Sequence, residues 1–256
     1  MDRNFDGLSA RFKQQIYGTL KGQLRLTLLD LDLEQCLPEL TQGPLKILDV
    51  GGGMGQFSSA LAAQGHHVTL TDISAEMLDD ARAIFNEVAP EAEVRFMVGP
   101  LQDLPQQLDN SETFDLVLNH AVLEWLDDPK QAVHMLTSLL SPNGVLSLMF
   151  YNRHAIVWRN LVNGSWQRAH NKHFHHNKNQ LMPQNPLDPH EVHQWLTDLH
   201  LTTLRWRGIR CVHDHMPKFM REQKNLQEFT EIESDIGLKP PYRDLGRYVH
   251  MLCRAQ

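Results

Sequence analysis

A cluster of glycines shortly after residue 50 is the part of the sequence that most clearly indicates chemistry. The cluster follows an apolar segment and consists of Gly51, Gly52, Gly53 and Gly55. About 20 residues further on, a second apolar segment ends at Asp72. Glycines let a ligand lie against bare backbone, and a carboxylate at the end of the next strand can accept hydrogen bonds from ribose hydroxyls. The spacing therefore predicts a nucleoside-bearing cofactor at the carboxyl edge of a parallel sheet.

The arrangement of these glycines argues against a dinucleotide. The pattern G-x-G-x-x-G, started at Gly51, requires glycine at position 56, where the sequence has Gln56. The order Asp49-x-Gly51-x-Gly53-x-Gly55 instead resembles the first motif of class I S-adenosylmethionine (SAM) methyltransferases. In those enzymes the methionine portion of the cofactor lies across the glycine turn. This resemblance implies SAM as the cofactor.

The elements that must position these residues alternate between strand and helix. Apolar segments predict strands at 45–50, 67–72, 94–98, 114–119 and 145–151, and helical periodicity predicts helices at 57–63, 75–88 and 130–140. Such alternation requires a parallel sheet covered on both faces. We expect a three-layer, doubly wound, Rossmann-like α/β fold. Its sheet is mostly parallel, with an antiparallel C-terminal strand at 248–253.

The regions outside this alternation complete the predicted organisation, a single methyltransferase domain over residues 1–256. Residues 1–44 are predicted to form a helical N-terminal prelude, and residues 152–187 a basic insertion, or cap, after the fifth strand. Residues 141–144 read Ser-Pro-Asn-Gly, which predicts a turn before that strand. Residues 218–236 are predicted to form one helix, after a strand at 201–212.

Composition narrows the class of protein. The chain has 256 residues, 41% of them hydrophobic, which is enough for one large α/β domain. Its three cysteines are widely spaced and predict neither a disulfide framework nor a zinc site. The first residues lack the apolar core of a signal peptide, and no apolar run is long enough to cross a membrane. We expect a cytoplasmic protein with no membrane partner and no metal.

The charge distribution is uneven. The net charge is −7, which taken alone argues against a nucleic-acid partner, but there is no Asp or Glu between Asp128 and Asp188. That interval holds six Lys or Arg residues, Lys130, Arg153, Arg159, Arg168, Lys172 and Lys178. Its histidine-rich stretch 170–176 favours RNA contact or a solvated loop over a metal site, which would need about four ligands in fixed geometry. Trp158, Trp166 and Phe174 lie among the cations, where they could stack on unpaired bases or belong to the core.

Several motifs along the chain resemble the bacterial tRNA 5-carboxymethoxyuridine methyltransferases. They include the glycine motif and the stretches Lys21–Arg25, His120–Trp125, Gly144–Asn152 and Leu245–Tyr248, together with Arg3–Asp6 and Ile16–Thr19. The glycine motif is common to many SAM enzymes, whereas Lys21–Arg25 and His120–Trp125 are more specific. The resemblance implies methyl transfer from SAM to the carboxylate of 5-carboxymethoxyuridine at the wobble position of tRNA. The product is the methyl ester, and the implied partner is the tRNA anticodon loop.

The resemblance also implies a set of cofactor-binding residues. An arginine near the N-terminus joins the glycine turn in that family, and the matching positions here are Arg25, Gly51, Gly52, Gly53, Asp72, Leu101, Gln102 and His120. Arg25 suits the carboxylate of the cofactor, because guanidinium and carboxylate pair through two hydrogen bonds. Gln102 would contact the adenine, with Asp103 as an alternative.

The acceptor chemistry predicts a site with no general base. An alkoxyacetic acid is ionised at neutral pH, so the nucleophile is already formed, and catalysis consists of holding an oxygen in line with the S–CH3 bond. A cation is needed to place the carboxylate, and the candidates are Arg153 and Arg247. Tyr151 and Asn152, at the end of the fifth strand, are expected near the uridine.

Two other functions remain open on the sequence. A SAM enzyme could methylate a small acid or a quinone-like molecule, although it would not need an acid-free insertion. A SAM-fold RNA-binding protein without turnover would be expected to lose either the glycine turn or Asp72. A carboxylated form of SAM is excluded only by the resemblance.

Overall fold

A single sheet of seven strands organises the computed structural model, which describes residues 18–170, 183 and 185–256. In chain order the strands are β1 (Lys46–Val50), β2 (His67–Asp72), β3 (Val94–Val98), β4 (Phe114–His120), β5 (Leu140–Tyr151), β6 (Thr202–Ile209) and β7 (Tyr248–Arg254). Their spatial order is β3-β2-β1-β4-β5-β7-β6. The order reverses direction between β1 and β4, and ligands bind at such a switch point in open α/β sheets.

Ten α-helices are described: α1 (Leu20–Cys36), α2 (Ser58–Ala63), α3 (Ala75–Val88), α4 (Leu104–Gln107), α5 (Pro129–Ser138), α6 (Arg153–Val162), α7 (Trp166–His170), α8 (Pro189–Asp198), α9 (Lys218–Arg221) and α10 (Leu226–Ile236). Short 3₁₀ turns lie at Pro38–Thr41, Leu101–Asp103, Leu123–Trp125 and Tyr242–Leu245. Side-chain caps fix several helix starts. Ser74 accepts a hydrogen bond from the Met77 amide, and Asp128 accepts one from the Gln131 amide.

Strand direction confirms the predicted fold class. β1 is parallel to β2 and β4, β3 is parallel to β2, and β5 is parallel to β4. β7 is antiparallel to both of its neighbours, β5 and β6. The sheet is therefore mostly parallel with an antiparallel C-terminal strand, as expected.

The core explains why the strands are apolar on both faces. In β1, Ile47 packs on one face against α1, α2 and α3, whereas Leu48 and Val50 pack on the other against α4, α5 and α8. A third apolar cluster joins α1 to α10 through Leu24, Leu28 and Phe229. Helices on both faces of the sheet give the predicted three layers.

The predicted turn at 141–144 is wrong, because β5 already begins at Leu140. Leu140 pairs with Phe114, and the register then shifts before Leu116 pairs with Val145. Asn143 has the left-handed φ of 63° inside this irregular stretch. The turn-forming residues therefore accommodate a bulge-like shift within the strand instead of preceding it.

The single helix predicted over 218–236 is also wrong. The structure divides it into α9 and α10, because Asn225 begins the second helix. Asn225 accepts a hydrogen bond from the Glu228 amide, and Glu228 accepts one from the Asn225 amide. This reciprocal capping box is visible in the sequence as Asn-x-x-Glu.

Parts of two predicted regions lie outside the described residues. Residues 1–17 of the prelude, with the motifs Arg3–Asp6 and Ile16–Tyr17, are among them, as are residues 171–182 and 184 of the basic insertion. The histidine-rich stretch beyond His170 and the cations Lys172 and Lys178 belong to the second group. Among their described residues, the prelude contains α1, and the basic insertion contains α6 and α7.

Candidate active site

The glycine turn after β1 brings bare backbone to the carboxyl edge of the sheet. Gly51 and Gly53 have φ of 68° and 58°, which L side chains rarely adopt. A Cβ on Gly51 would lie 2.6 Å from Cγ2 of Val122, whereas one on Gly53 would meet nothing within 4 Å. Gly53 therefore faces open space, and the turn offers backbone to a ligand there.

Asp72, the last residue of β2, is tied to this turn. Its Oδ2 accepts a hydrogen bond of 2.9 Å from the Gly53 amide, and its Oδ1 accepts one of 2.8 Å from the Ser74 amide. These two bonds orient the carboxylate beside the glycine turn. Asp72 and the turn therefore form one preorganised unit.

A cavity of about 220 Å³ extends from this unit along the edge of the sheet. Most of the predicted cofactor residues line it: Arg25, Gly51, Gly52, Gly53, Asp72, Leu101 and His120. Tyr151, predicted to contact substrate, also lines it. Gln102 is exposed and is not among the lining residues, whereas Gly99 and Pro100 beside it are. The wall near β3 is therefore backbone and apolar side chain.

Two of the predicted substrate residues have other roles in the structure. Asn152 is fully buried; its amide donates hydrogen bonds to the carbonyls of Asp244 and Gly246, and its oxygen caps α6 through the His154 amide. All of its hydrogen-bonding atoms are thus occupied. Arg153 pairs instead with Asp188 and Glu191, at 3.3 and 3.2 Å. Neither residue is among those that line the cavity, so the structure brings neither to the site.

The cavity also holds two buried acids that the sequence interpretation missed. Burial raises the pKa of Asp49 to about 7, although the hydrogen bond of 2.6 Å that Ser58 donates to it acts to lower that pKa. Burial likewise raises the pKa of Glu124 to about 7, although backbone hydrogen bonds and the positive charge of Arg25 act to lower that pKa. Within the described residues Oε2 of Glu124 has no hydrogen-bond partner. Near neutral pH both acids lie close to their ionisation midpoints, so a bound cation would favour their charged forms.

Replacing Glu124 with glutamine should change how stability depends on pH. The folded pKa of Glu124 lies above its ordinary value of 4.5, so its contribution is present below that pH and is lost as the pH rises towards 7. The free energy of unfolding of Glu124→Gln, relative to the wild type, should therefore rise by roughly 3 kcal/mol between about pH 4 and about pH 8. Chemical denaturation at several pH values measures this, with the exposed Glu87→Gln as control. Parallel curves for both variants would contradict the assignment.

A cluster of charged side chains lies against the tyrosine wall of the cavity. We call Lys21, Arg210, Asp214 and Arg247 the cation cluster. Asp214 accepts hydrogen bonds from Arg210 at 2.8 Å and from Arg247 at 2.6 Å. Although burial alone would raise it, Arg210, His213 and Arg247 hold the pKa of Asp214 well below its usual range. Lys21 is close enough for the charges of the other three members to act on it. The cluster itself thus contains three side-chain cations and one carboxylate.

Two tyrosines connect the cation cluster to the cavity. Arg247 donates a hydrogen bond to the hydroxyl of Tyr151. The guanidinium carbons of Arg210 and Arg25 lie 5.3 and 5.9 Å from the ring centre of Tyr248. Tyr151 and Tyr248 both line the cavity, and their rings pack edge to face. Arg247 therefore lies directly behind the cavity wall.

A buried glutamate anchors the loop that carries Arg210 and Asp214. The Glu233 carboxylate, on α10, accepts hydrogen bonds from the backbone amides of Cys211, Val212 and His213 at 2.6 to 2.9 Å. Arg210 has the left-handed φ of 64° at the start of this loop. Glu233 thus determines the conformation of this loop. Arg210 follows Lys21 by more than 180 residues in the sequence, and no local sequence pattern indicates that the two lie close together.

Two negative findings concern the described residues only. Among residues 18–170, 183 and 185–256, no three His, Cys, Asp or Glu side chains come together as metal ligands. None of the helices in that part of the chain is long and apolar enough to cross a membrane.

The residues of the cavity fit SAM. The open backbone at Gly53 and the carboxylate of Asp72 suit the ribose end, and the guanidinium of Arg25 suits the carboxylate of the amino-acid end. Buried acids with pKa values near 7 suit a ligand that carries positive charge. Among the residues that the structure describes, no cluster of cations lies at the glycine turn of the kind that a pyrophosphate would favour.

Comparison with known proteins supports this chemistry. Residues 48–148 match the family model described as "Methyltransferase domain". The ubiquinone biosynthesis O-methyltransferase of Xanthomonas campestris pv. campestris (strain B100) is 31% identical over 153 residues, which cover 59% of this chain and 60% of that protein. The solved magnesium protoporphyrin IX methyltransferase of Synechocystis PCC 6803, with bound S-adenosylhomocysteine (SAH), superposes with a TM-score of 0.65 at 15% identity. The superposition covers 98% of this chain and 96% of the solved chain. This similarity confirms the Rossmann-like methyltransferase fold.

A full-length match extends the comparison to nearly the whole chain. The tRNA 5-carboxymethoxyuridine methyltransferase of Escherichia coli (strain K12) is 37% identical over 253 residues, covering 99% of this chain and 96% of that protein. The predicted enzyme class, a methyltransferase that uses SAM, is thereby confirmed. The chain belongs to the tRNA 5-carboxymethoxyuridine methyltransferase family.

Proposed function

We propose that this chain transfers a methyl group from SAM to the carboxylate of 5-carboxymethoxyuridine at the wobble position of tRNA, giving 5-methoxycarbonylmethoxyuridine. The observation that carries the proposal is the cation cluster behind Tyr151 and Tyr248. An anionic acceptor needs positive charge beside the methyl donor, and a neutral acceptor such as a quinol does not. The name of the full-length Escherichia coli relative agrees with this acceptor.

Within this cavity the residues have to position SAM and the acceptor, and they do not have to activate either of them. SAM, when bound, supplies a methyl group that its sulfonium already activates. The acceptor carboxylate is ionised at neutral pH, because its pKa lies below the ordinary value of about 4 for a side-chain acid. Burial, followed by the charges of His250 and Arg25, lowers the pKa of His120 well below its usual value, so His120 is neutral. We infer that His120 acts in binding, and that no side chain acts as a general base.

Arg247 is the cation best placed for the acceptor carboxylate. Its Nε is held by Asp214 and its Nη1 by Tyr151, and its Nη2 makes no hydrogen bond to any described residue. Lys21 is exposed on the first turn of α1, one turn before Arg25. Partial burial, and then the nearby charge of Arg210, lower the pKa of Lys21, so a bound anion would be stabilised there. We propose that Arg247 and Lys21 hold the acceptor carboxylate beside Tyr151.

The surface of α6 and α7 suits the tRNA anticodon loop. Both helices belong to the acid-free interval, and they expose Arg159 and Arg168 together with Trp158 and Trp166, whose exposed fractions are 40% and 69%. Phosphates are contacted mainly by Arg and Lys, and unpaired bases stack on aromatic rings. We propose this face as the tRNA contact, and the cytoplasm, where tRNA acts, as the location of the enzyme.

A labelling experiment tests the function. The protein is incubated with methyl-labelled SAM and tRNA from cells that lack the methyl ester, and the nucleosides are then analysed by mass spectrometry. We expect the label on 5-carboxymethoxyuridine as an ester that mild base removes. As a control, tRNA lacking the carboxymethoxy group should remain unlabelled. Label on added small acids, with none on tRNA, would overturn the proposal and favour a small-molecule methyltransferase.

A further inference from the structure

The segment that follows β6 presents apolar side chains to solvent beside the cation cluster. We call residues 217–225, which include the short helix α9, the rim segment. Phe219 and Met220 are adjacent in it, and their exposed fractions are 67% and 45%. A single exposed apolar residue needs no explanation, but a contiguous pair beside charged groups calls for one. The rim segment is therefore a candidate contact for a partner.

Strand register places the start of this segment at the ligand edge of the sheet. Tyr248 of β7 pairs with Tyr151 of β5 on one side and with Ile209 of β6 on the other. Because Tyr151 and Tyr248 line the cavity, β6 ends at the same edge. The chain thus leaves this edge on both sides of β7, towards α6 after Tyr151 and towards the rim segment after Ile209.

Both ends of the rim segment are anchored to the rest of the molecule. Met216 and Leu226, which flank it, pack against the apolar cluster that joins α1 to α10. Nε2 of His215 donates a hydrogen bond of 2.9 Å to the carbonyl of Leu245, shortly before β7. The segment is therefore tied to α1 and to the start of β7, the two elements that supply the cation cluster with Lys21 and Arg247.

The charge of the rim segment favours an anionic partner. The segment holds three Lys or Arg side chains and one Glu. Lys218 pairs with Glu222 at 3.6 Å, and Lys224 pairs with Glu228 at 2.6 Å. Arg221 makes no ion pair with any residue in the described part of the chain. The charge of Arg221 is therefore available for a phosphate.

Arg221 extends the positive charge of the cation cluster outwards. Partial burial and then the charge of Arg210 lower the pKa of Lys21, and the charge of Arg221 acts on it in the same direction. Arg221 thus lies within electrostatic range of Lys21, which precedes Arg25 of the cavity wall by one turn of α1. Cations therefore continue from the cavity to the rim segment. Such a series suits the successive phosphates of a nucleic acid, whereas an isolated small acid would need only the cations at the cavity.

We propose that the rim segment binds single-stranded nucleotides next to the acceptor uridine, with Phe219 stacking on an unpaired base and Arg221 contacting a phosphate. Aromatic rings and arginines are the side chains that commonly make these two contacts to unpaired RNA. The RNA loop is then held on both sides of β7, by the rim segment and by the surface of α6 and α7. The inference rests on the proposed function, because it requires the acceptor to belong to an RNA loop.

Replacing Phe219 tests the stacking contact. Phe219→Ser should weaken binding of an anticodon stem-loop RNA about tenfold, because one base loses its aromatic partner. Phe219→Trp should bind this RNA within about twofold of the wild type, since a base stacks on either aromatic ring. Fluorescence anisotropy with labelled RNA measures Kd. The matched control is Val88→Ser, because Val88 is 45% exposed at the end of α3 and is not among the residues that line the cavity. This control should bind the RNA as the wild type does.

The salt dependence of binding tests the phosphate contact. Arg221→Gln should reduce the slope of log Kd against log salt concentration by about 0.7–0.9, the value for one phosphate contact. Arg82→Gln is its control, since Arg82 is a half-exposed arginine on α3. Replacing Arg82 should leave the slope unchanged. The same stem-loop RNA, titrated at several salt concentrations, serves for both variants.

Calorimetry with SAH, to which every variant should bind as the wild type does, separates RNA contact from a structural role. Equal RNA affinities of Phe219→Ser and Val88→Ser would overturn the inference, as would a parallel loss of SAH affinity in Phe219→Ser. A wild-type dimer that Phe219→Ser converts to monomers, with RNA affinity unchanged, would assign the rim segment to a second copy of the chain instead. A wild type that binds the RNA without any effect of Phe219 would overturn this inference alone. A wild type that binds no RNA at any salt concentration would overturn the proposed function as well.

Discussion

Replacing Arg247 with methionine should lower kcat/KM for tRNA about 100-fold while leaving the affinity for SAH within about threefold of the wild type. A hydrogen bond to a charged group contributes roughly 1.5–3 kcal/mol, and the acceptor carboxylate would lose both that bond and its nearest positive charge. Tyr151 would also lose the partner that orients its hydroxyl. Methyl transfer to carboxymethoxyuridine-containing tRNA under subsaturating conditions measures the effect.

Arg153→Met is the matched control for this change. Arg153 is the same residue type, but it pairs with Asp188 and Glu191 away from the cavity lining. Its replacement should change kcat/KM less than about threefold, since surface ion pairs contribute little. Arg247→Lys keeps the positive charge but not the planar guanidinium, so its kcat/KM should lie between those of Arg247→Met and Arg153→Met. Equal losses for Arg247→Met and Arg153→Met would contradict the assignment of the cation cluster to the acceptor.

Asp72→Ala should weaken SAH binding at least about 100-fold. Two hydrogen bonds from ribose hydroxyls to an ionised carboxylate contribute roughly 1.5–3 kcal/mol each, and about 2.7 kcal/mol corresponds to 100-fold in Kd. The same change removes the acceptor that ties Gly53 to β2 and so loosens the turn. Calorimetry with SAH measures the loss.

Two controls separate ribose binding from general damage. Asp79→Ala removes an exposed acid from the next helix and should leave Kd unchanged. Adenine alone, which has no ribose, should bind Asp72→Ala about as weakly as it binds the wild type. Unchanged SAH affinity in Asp72→Ala would remove the ribose assignment.

The sequence allowed the glycine turn and Asp72 to be placed side by side because the determinants of their positions are local. The glycine turn and Asp72 lie at the ends of adjacent strands, so their proximity follows from strand order alone. Gln102 shows where this reasoning ends. Its neighbour Leu101 lines the cavity, whereas Gln102 is exposed and does not, because successive side chains of a 3₁₀ turn point in different directions.

The acceptor side could not be predicted in the same way. Arg210 and Asp214 approach Lys21 only because Glu233 shapes their loop and α10 packs on α1. Arg153 and Arg247 were equivalent candidates in the sequence, and only tertiary ion pairs distinguish them. Asn152 illustrates the converse, since a polar residue at the ligand edge of the sheet serves as a helix cap.

The position of β7 has a consequence for synthesis of the protein. This strand is near the end of the chain, yet it lies between β5 and β6 in the interior of the sheet. It carries His250 and Tyr248, and Arg247 directly precedes it. A nascent chain still held by the ribosome before residue 248 would expose the edges of two strands and would lack part of the cofactor site and part of the acceptor site. Modification of tRNA can therefore begin only once translation has passed β7, so a truncated product is inactive as well as unstable.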